Sequence, residues 1–494
     1  MILSIDQGTT GTTVLIVNRH GRVVGHAYAE LPQHYPKPGW VEHRPQEILA
    51  VTWKVIRHAL ADARLAPSRV SAVGITNQRE TTILWDRRSG KPLANAIVWQ
   101  CRRTAPMCAE LKRRGAEPEV RRKTGLVLDA YFSGTKVRWL LDHVAGARRR
   151  AQRGDVAFGT VDSWLIWHLT GGAVHATDMT NASRTLLYNI RTRRWDPALL
   201  DRFHVPSQVL PEVLPCTAPF GMTAKGGPLP AGIPIAGVAG DQQASMVGHG
   251  CLKPGMAKNT YGTGCFLLLH TGRRFVPSRH GLITTLIYGG GEQPAYALEG
   301  SVFIAGAAIQ WLRDALGVVR TAAETEAIAR RTKDTGGVYV VPAFVGLGAP
   351  YWDMDARGAI VGLTRGAGRD AIVRATLESL AYQTRDVVES MERDSGIRLR
   401  ELRVDGGASR NDWLMQFQAD LLGVPVARPA MVANTGKGAA LLAGIQIGWW
   451  KPHALGALIG RPERRFLPRM SRAERDRRYA GWREAVARVR TETR

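Results

Sequence analysis

An α/β fold of two duplicated lobes facing a central cleft is what this 494-residue sequence predicts, and three observations predict it. Short β-like runs alternate with helical patterns from end to end, the pattern of layered α/β proteins. Each half carries an early glycine–threonine turn, Gly8-Thr9-Thr10 and Gly262-Thr263-Gly264, and a later strand ending on aspartate, Val161-Asp162 and Val404-Asp405-Gly406-Gly407. The chain is also too long for one ordinary core. The expected division lies near residue 248, giving lobes 1–248 and 249–494, and a duplication of this kind places ligands between the lobes.

In chain order, Ile2-Leu3-Ser4-Ile5, the small-residue segment from Asp6 to Thr13, and Val14-Leu15-Ile16-Val17 predict strand, tight turn, strand. A helix is expected over 46–63, strands over 70–75 and 82–85, a helix over 134–143, and strands over Val156–Gly159 and 233–239. The second lobe is expected to place strands at 266–270, 295–299, 338–341 and 402–404. Its helices are expected at 302–316, Arg369–Ser395, 411–422 and 438–448. The final basic segment puts Tyr479, Trp482, Val486 and Val489 on one helical face, which predicts a docked amphipathic helix with its arginines in water.

Composition removes several function classes. Five cysteines without CxxC or Cys/His spacing fit a reducing cytosol and give no zinc site. A basic leader is not seen, and no apolar run approaches the ~20 residues that span a bilayer. A cytoplasmic protein without membrane insertion is expected. The net charge of +25 raises nucleic acid as a partner, but the bases are scattered, largely arginine, and not interleaved with aromatics, so no specific nucleic-acid partner is expected.

The chemistry concentrates at two places. Gly240-Asp241-Gln242-Gln243 sets one carboxylate between a glycine and two amides, a place to bind a hydroxyl and take its proton. The turn after Asp6 offers free backbone N–H groups and threonine hydroxyls for phosphate oxygens, with a carboxylate at its mouth for a hydrated magnesium ion. Between two β-like runs, Asn77-Gln78-Arg79-Glu80 supplies donors and acceptors for a polar ligand. Trp99, Tyr131 and Phe266 can cover the C–H side of a polyol, although taken singly each could be a core aromatic. Gly436-Lys437-Gly438 lacks the following Ser/Thr of a Walker A loop.

At these residues the chain resembles the FGGY carbohydrate kinase family. The likeness is collinear over nearly the whole chain: Tyr35 to His43, 76–82, 97–103, Tyr131 to Lys136, Gly240 to Gln243, Lys258 to Phe266, Arg374 to Tyr382 and Val404 to Asn411. The resemblance implies two duplicated actin-like (ribonuclease H-like) ATPase domains, the first binding glycerol and phosphate, the second nucleotide. It implies ATP-dependent phosphorylation of glycerol to sn-glycerol 3-phosphate in glycerol catabolism, with ATP and Mg2+ as cofactors and a homodimer or homotetramer as the assembly.

Carried over residue by residue, it implies Asp241 as catalytic base, with Arg79, Glu80, Tyr131, Asp241 and Gln242 on the glycerol hydroxyls and Trp99 and Phe266 against its carbons. It implies Thr9, Thr10, Gly11 and Thr263 at the phosphates, Gly306, Gln310, Gly407 and Asn411 around the nucleoside, and Asp6 and Asp241 organising magnesium. The segment 77–80 favours glycerol over ketoses. Two other readings are an FGGY kinase acting on a pentulose or tetritol, and a non-catalytic actin-like nucleotide-binding protein. Where similar members continue the first phosphate turn with Ser-Ser-Arg, this chain has Gly11-Thr12-Thr13, so a cationic phosphate contact is missing. The 224–234 loop also lacks the arginine that serves fructose-1,6-bisphosphate inhibition in some relatives.

Overall fold

The computed structural model describes residues 1–291, 293–430, 433–460 and 462–491. Its first sheet contains β1 (Ile2–Gln7), β2 (Gly11–Val17), β3 (Val23–Glu30), β4 (Ala72–Asn77) and β5 (Ile235–Gly240) in the order β5-β4-β1-β2-β3. β1 pairs antiparallel to β2 and parallel to β4, and β4 pairs parallel to β5. The second sheet contains β6 (Met256–Tyr261), β7 (Cys265–Gly272), β8 (Ile283–Ile287), β9 (Ala295–Val302), β10 (Glu401–Asp405), β11 (Val426–Arg428) and β12 (Arg464–Phe466). Its order is β8-β9-β7-β6-β10-β11-β12. Without the edge strands β8 and β12 it repeats the first sheet strand for strand, so the duplication expected from the sequence is present.

One proposed correspondence within that duplication is wrong. Val161 opens a helix, Val161–Leu169, and does not end a strand; the preceding strand, Val156–Gly159, joins a separate two-stranded ribbon with Ile83–Asp86. The counterpart of β10 is β4, which holds the same place beside the first strand and ends on Asn77. β4 runs two residues beyond the expected 70–75 and is buried along its whole length. In a central strand covered on both faces, a buried amide such as that of Asn77 needs hydrogen-bond partners. Asn77 meets that condition by exchanging hydrogen bonds with Asn181 at 3.1 and 3.0 Å. Likewise the helix expected over 302–316 begins later, at Gly306, because β9 continues to Val302.

Two helices join the lobes. α1 (Asp241–His249) follows β5, and α2 (Asn434–Gln446) follows β11; they pack on each other, while α2 also lies against β1, β4 and β5 of the first sheet. At their crossing the backbones touch. A Cβ added to Gly248 would lie 1.9 Å from the Asn434 carbonyl, and one added to Gly438 would lie 1.9 Å from that of Ala244. The poor intrinsic helix propensity of Gly436 and Gly438 hides the start of α2, which precedes the expected residue 438 by four positions.

The C-terminal helix α3 (Arg472–Val489) docks as its apolar stripe predicts, burying Tyr479, Trp482 and Val486. Trp482 stacks on Tyr382 at 5.4 Å, and both Tyr479 and Trp482 donate to Asp386, at 2.7 and 2.9 Å. Among the described residues no helix is long and apolar enough to cross a membrane.

Candidate active site

Both glycine–threonine turns face the space between the lobes. In the first, the Gly8 N–H closes on the Gly11 carbonyl at 2.9 Å; Thr10 is exposed, and the Thr9 hydroxyl accepts from Trp99 Nε1 at 2.8 Å. Gly11 starts β2 with no room for a side chain, since a Cβ would lie 2.6 Å from the Ala29 carbonyl. In the second turn, Gly262 N–H donates to the Gly264 carbonyl at 2.9 Å, leaving Thr263 exposed. The helix Gly306–Asp314 is seated on this turn: Ala305 and Ala307 donate to the Thr263 carbonyl, and Gly306 donates to that of Gly262 at 3.0 Å. Gln310 is exposed one turn further along.

Gly406 links this region to the end of β10. Its φ of +87° and the 2.3 Å from a would-be Cβ to the Tyr261 carbonyl both require glycine. Gly407 beyond it is exposed. Asn411, expected at the nucleoside, caps the helix Asp412–Leu422: its side-chain oxygen accepts from Leu414 N–H at 2.9 Å, and its amide donates to Thr325 Oγ1 at 3.4 Å.

The residues expected around the polyol converge. Arg79 lies 3.2 Å from Asp241 Oδ1, 3.7 Å from Glu80 and 3.4 Å from the Tyr131 hydroxyl. Trp99 meets Tyr131 and Phe266 edge-on, with ring centroids 5.5 and 6.2 Å apart, which makes an aromatic wall beside the charged cluster. Asp241 is the first residue of α1 and accepts from the Gln242 N–H at 2.6 Å. Its side chain remains 28% exposed, against 2% for Glu80, so it is the carboxylate of this group that reaches the cleft.

Burial pushes the Asp241 carboxyl up, while Arg79 and Lys258 pull it down. Burial, reinforced by the charges of Asp241 and Asp405, raises Asp6 to about 7. Asp405 binds His249 through Oδ2 at 2.8 Å, while its buried Oδ1 has no hydrogen-bond partner.

Three central residues were not anticipated: Arg184, Lys258 and Glu299. Arg184 donates to Glu80 at 2.7 Å and Glu299 at 3.0 Å. Arg79 grips both oxygens of Glu299, at 2.7 and 2.9 Å. The buried Lys258 ammonium hydrogen-bonds Gln242 Oε1 and, at 2.9 Å, Thr260 Oγ1; burial lowers it to about 8. One signal was available, because Lys258 and Glu299 are each the single charge in an otherwise uncharged strand. Such a charge must be paired or functional.

Comparison with known proteins agrees with this architecture. The N-terminal domain of the FGGY family of carbohydrate kinases matches residues 1–248, and the family's C-terminal domain matches 257–447. A glycerol kinase of Symbiobacterium thermophilum is 58% identical over 489 residues, covering 99% of this chain and 98% of the relative. The crystal structure of Plasmodium falciparum glycerol kinase with ADP superposes with a TM-score of 0.94 at 37% identity, covering 99% of this chain and 98% of that one. A xylulose kinase from Brucella ovis superposes with a TM-score of 0.86 at 25% identity, covering 99% of each chain.

Proposed function

The chain belongs to the FGGY family of carbohydrate kinases, and from that premise we infer that it phosphorylates glycerol with ATP, giving sn-glycerol 3-phosphate and ADP. The observation that carries this reading is the setting of Asp241: a carboxylate at a helix N-terminus, held by Arg79 and open to the cleft beside an aromatic wall.

Arg79, Glu80, Tyr131 and Gln242 hold the hydroxyls, and Trp99 and Phe266 cover the carbons. Asp241 takes the proton of the primary hydroxyl as its oxygen bonds to the γ-phosphorus and the bond from phosphorus to the ADP oxygen breaks. Thr9, Thr10, Gly11 and Thr263 supply hydroxyls and backbone N–H groups to the phosphates; Gly306, Gln310, Gly407 and Asn411 border the nucleoside.

The residues present fit a magnesium ion. Burial, with the charges of Asp241 and Asp405, raises the Asp6 carboxyl, and Asp405 Oδ1 is left unpartnered, so the site carries negative charge that a cation would balance. Among the described residues no three acidic, histidine or cysteine side chains form a direct chelate. Asp6 and Asp241 would therefore hold magnesium through water and phosphate oxygens, and the ion would spread the charge developing on the phosphoryl group.

A division into an N-terminal lobe 1–248 and a C-terminal lobe 249–494, a homodimer or homotetramer and a cytoplasmic location complete the proposal. The five free, buried cysteines support that location. The test is Asp241→Asn, which keeps the shape but cannot accept the proton. Turnover should fall by at least roughly 10²–10⁴-fold while ADP still binds in titration calorimetry. Near-normal turnover would remove Asp241 as the base.

A further inference from the structure

Arg79, Glu80, Arg184 and Glu299 form a closed set of charges away from water, their side chains 2%, 2%, 0% and 0% exposed. Arg79 spans both oxygens of Glu299, Arg184 bridges Glu299 to Glu80, and Arg79 Nε lies near Glu80. Three of these residues belong to the first lobe; Glu299 reaches across from β9 of the second. Burial pushes the Glu299 carboxyl up, but the guanidinium groups of Arg184 and Arg79 outweigh it and hold the carboxyl down, at about 2.

Stability alone does not account for such a lattice. Desolvating each ion is costly, and apolar side chains of similar volume often fill a core equally well. What a lattice of bidentate, charge-assisted bonds supplies is direction. With its two Nη atoms committed to Glu299, Arg79 turns Nε toward Asp241, and Arg184 fixes one oxygen of Glu80 in the same way.

We propose that Arg184 and Glu299 are positioning residues for the polyol: neither touches substrate, and together they fix Arg79 and Glu80, so the hydroxyl-binding end of the cleft is assembled only when the two lobes are docked through Glu299. This rests on the reading of Arg79 and Glu80 as substrate ligands.

The test compares full-length wild type, Glu299→Gln, and the double variant Arg184→Met/Glu299→Leu, by initial rates with glycerol and ATP varied separately and by thermal melting. In Glu299→Gln the KM for glycerol should rise about 10- to 100-fold, with the KM for ATP and the Kd for ADP within about twofold of wild type. The double variant, which keeps the cluster's net charge at zero, should recover part of the Tm that Glu299→Gln loses but not the glycerol KM. An unchanged glycerol KM, parallel rises for both substrates, or a double variant that recovers KM together with Tm would overturn the proposal. The wild-type rate on glycerol tests the substrate reading separately. If the enzyme preferred another polyol or sugar, that reading would fall, and the same KM split would be read on the accepted substrate.

Discussion

Thr13 shows how one side chain can carry a functional difference. On β2 it stands directly opposite Asp6 in the antiparallel register, half-buried at the edge of the first glycine–threonine turn, the one we propose for phosphate. A cation at this position would face the phosphates. Thr13→Arg should therefore tighten ADP binding about 10- to 150-fold at low salt, a charge-assisted contact of roughly 1.5–3 kcal/mol, and the gain should fade with ionic strength. Titration calorimetry at two salt concentrations measures it, and an unchanged Kd would mean that another basic group already serves the phosphates. At this scale the sequence was informative where residues cluster along the chain, as in 77–80 and 240–243. It was silent about which groups Arg184 and Glu299 would meet, 104, 115 and 220 positions away, because a pairing made only on folding leaves no local spacing to read.

Elements show the same division between local and distant causes. The apolar stripe of α3 was legible because helical periodicity is local; that it would close on a buried carboxylate was not. Asp386 lies beneath Tyr479 and Trp482, and burial raises it from 3.8 to about 7. Between those pH values the folded protein keeps a proton that the unfolded chain has released. The stability this proton contributes is therefore complete below pH 3.8 and lost as pH rises through about 7. Asp386→Asn cannot titrate, so whatever its constant cost, it should gain on wild type between pH 5 and 8, by up to about 1.4 kcal/mol per pH unit below 7. Urea midpoints of both proteins at the two pH values give the answer. Parallel pH dependence would mean that Asp386 is ionised in the folded state. The crossing of α1 and α2 was illegible for a different reason: glycines that a propensity argument counts against a helix are required where two backbones touch.

For the whole molecule, the duplication and the cleft were legible from repeated turns and α/β alternation, although Val161-Asp162 opens a helix and the counterpart of β10 is β4. Arginines such as Arg330 and Arg393 lie exposed beside Glu326 and Glu389, an arrangement that marks solvated helix faces. Between them the two lobes set the charged cluster around Arg79 and Asp241 against Trp99, Tyr131 and Phe266, next to the two glycine–threonine turns, and this is the place we propose as the polyol pocket. The central claim is that this pocket accepts glycerol. An ADP-release assay with glycerol, dihydroxyacetone, xylulose and ribulose under one set of conditions tests it most directly. The account predicts the highest kcat/KM for glycerol and little turnover of the two pentuloses; a pentulose turned over with higher kcat/KM than glycerol would contradict it.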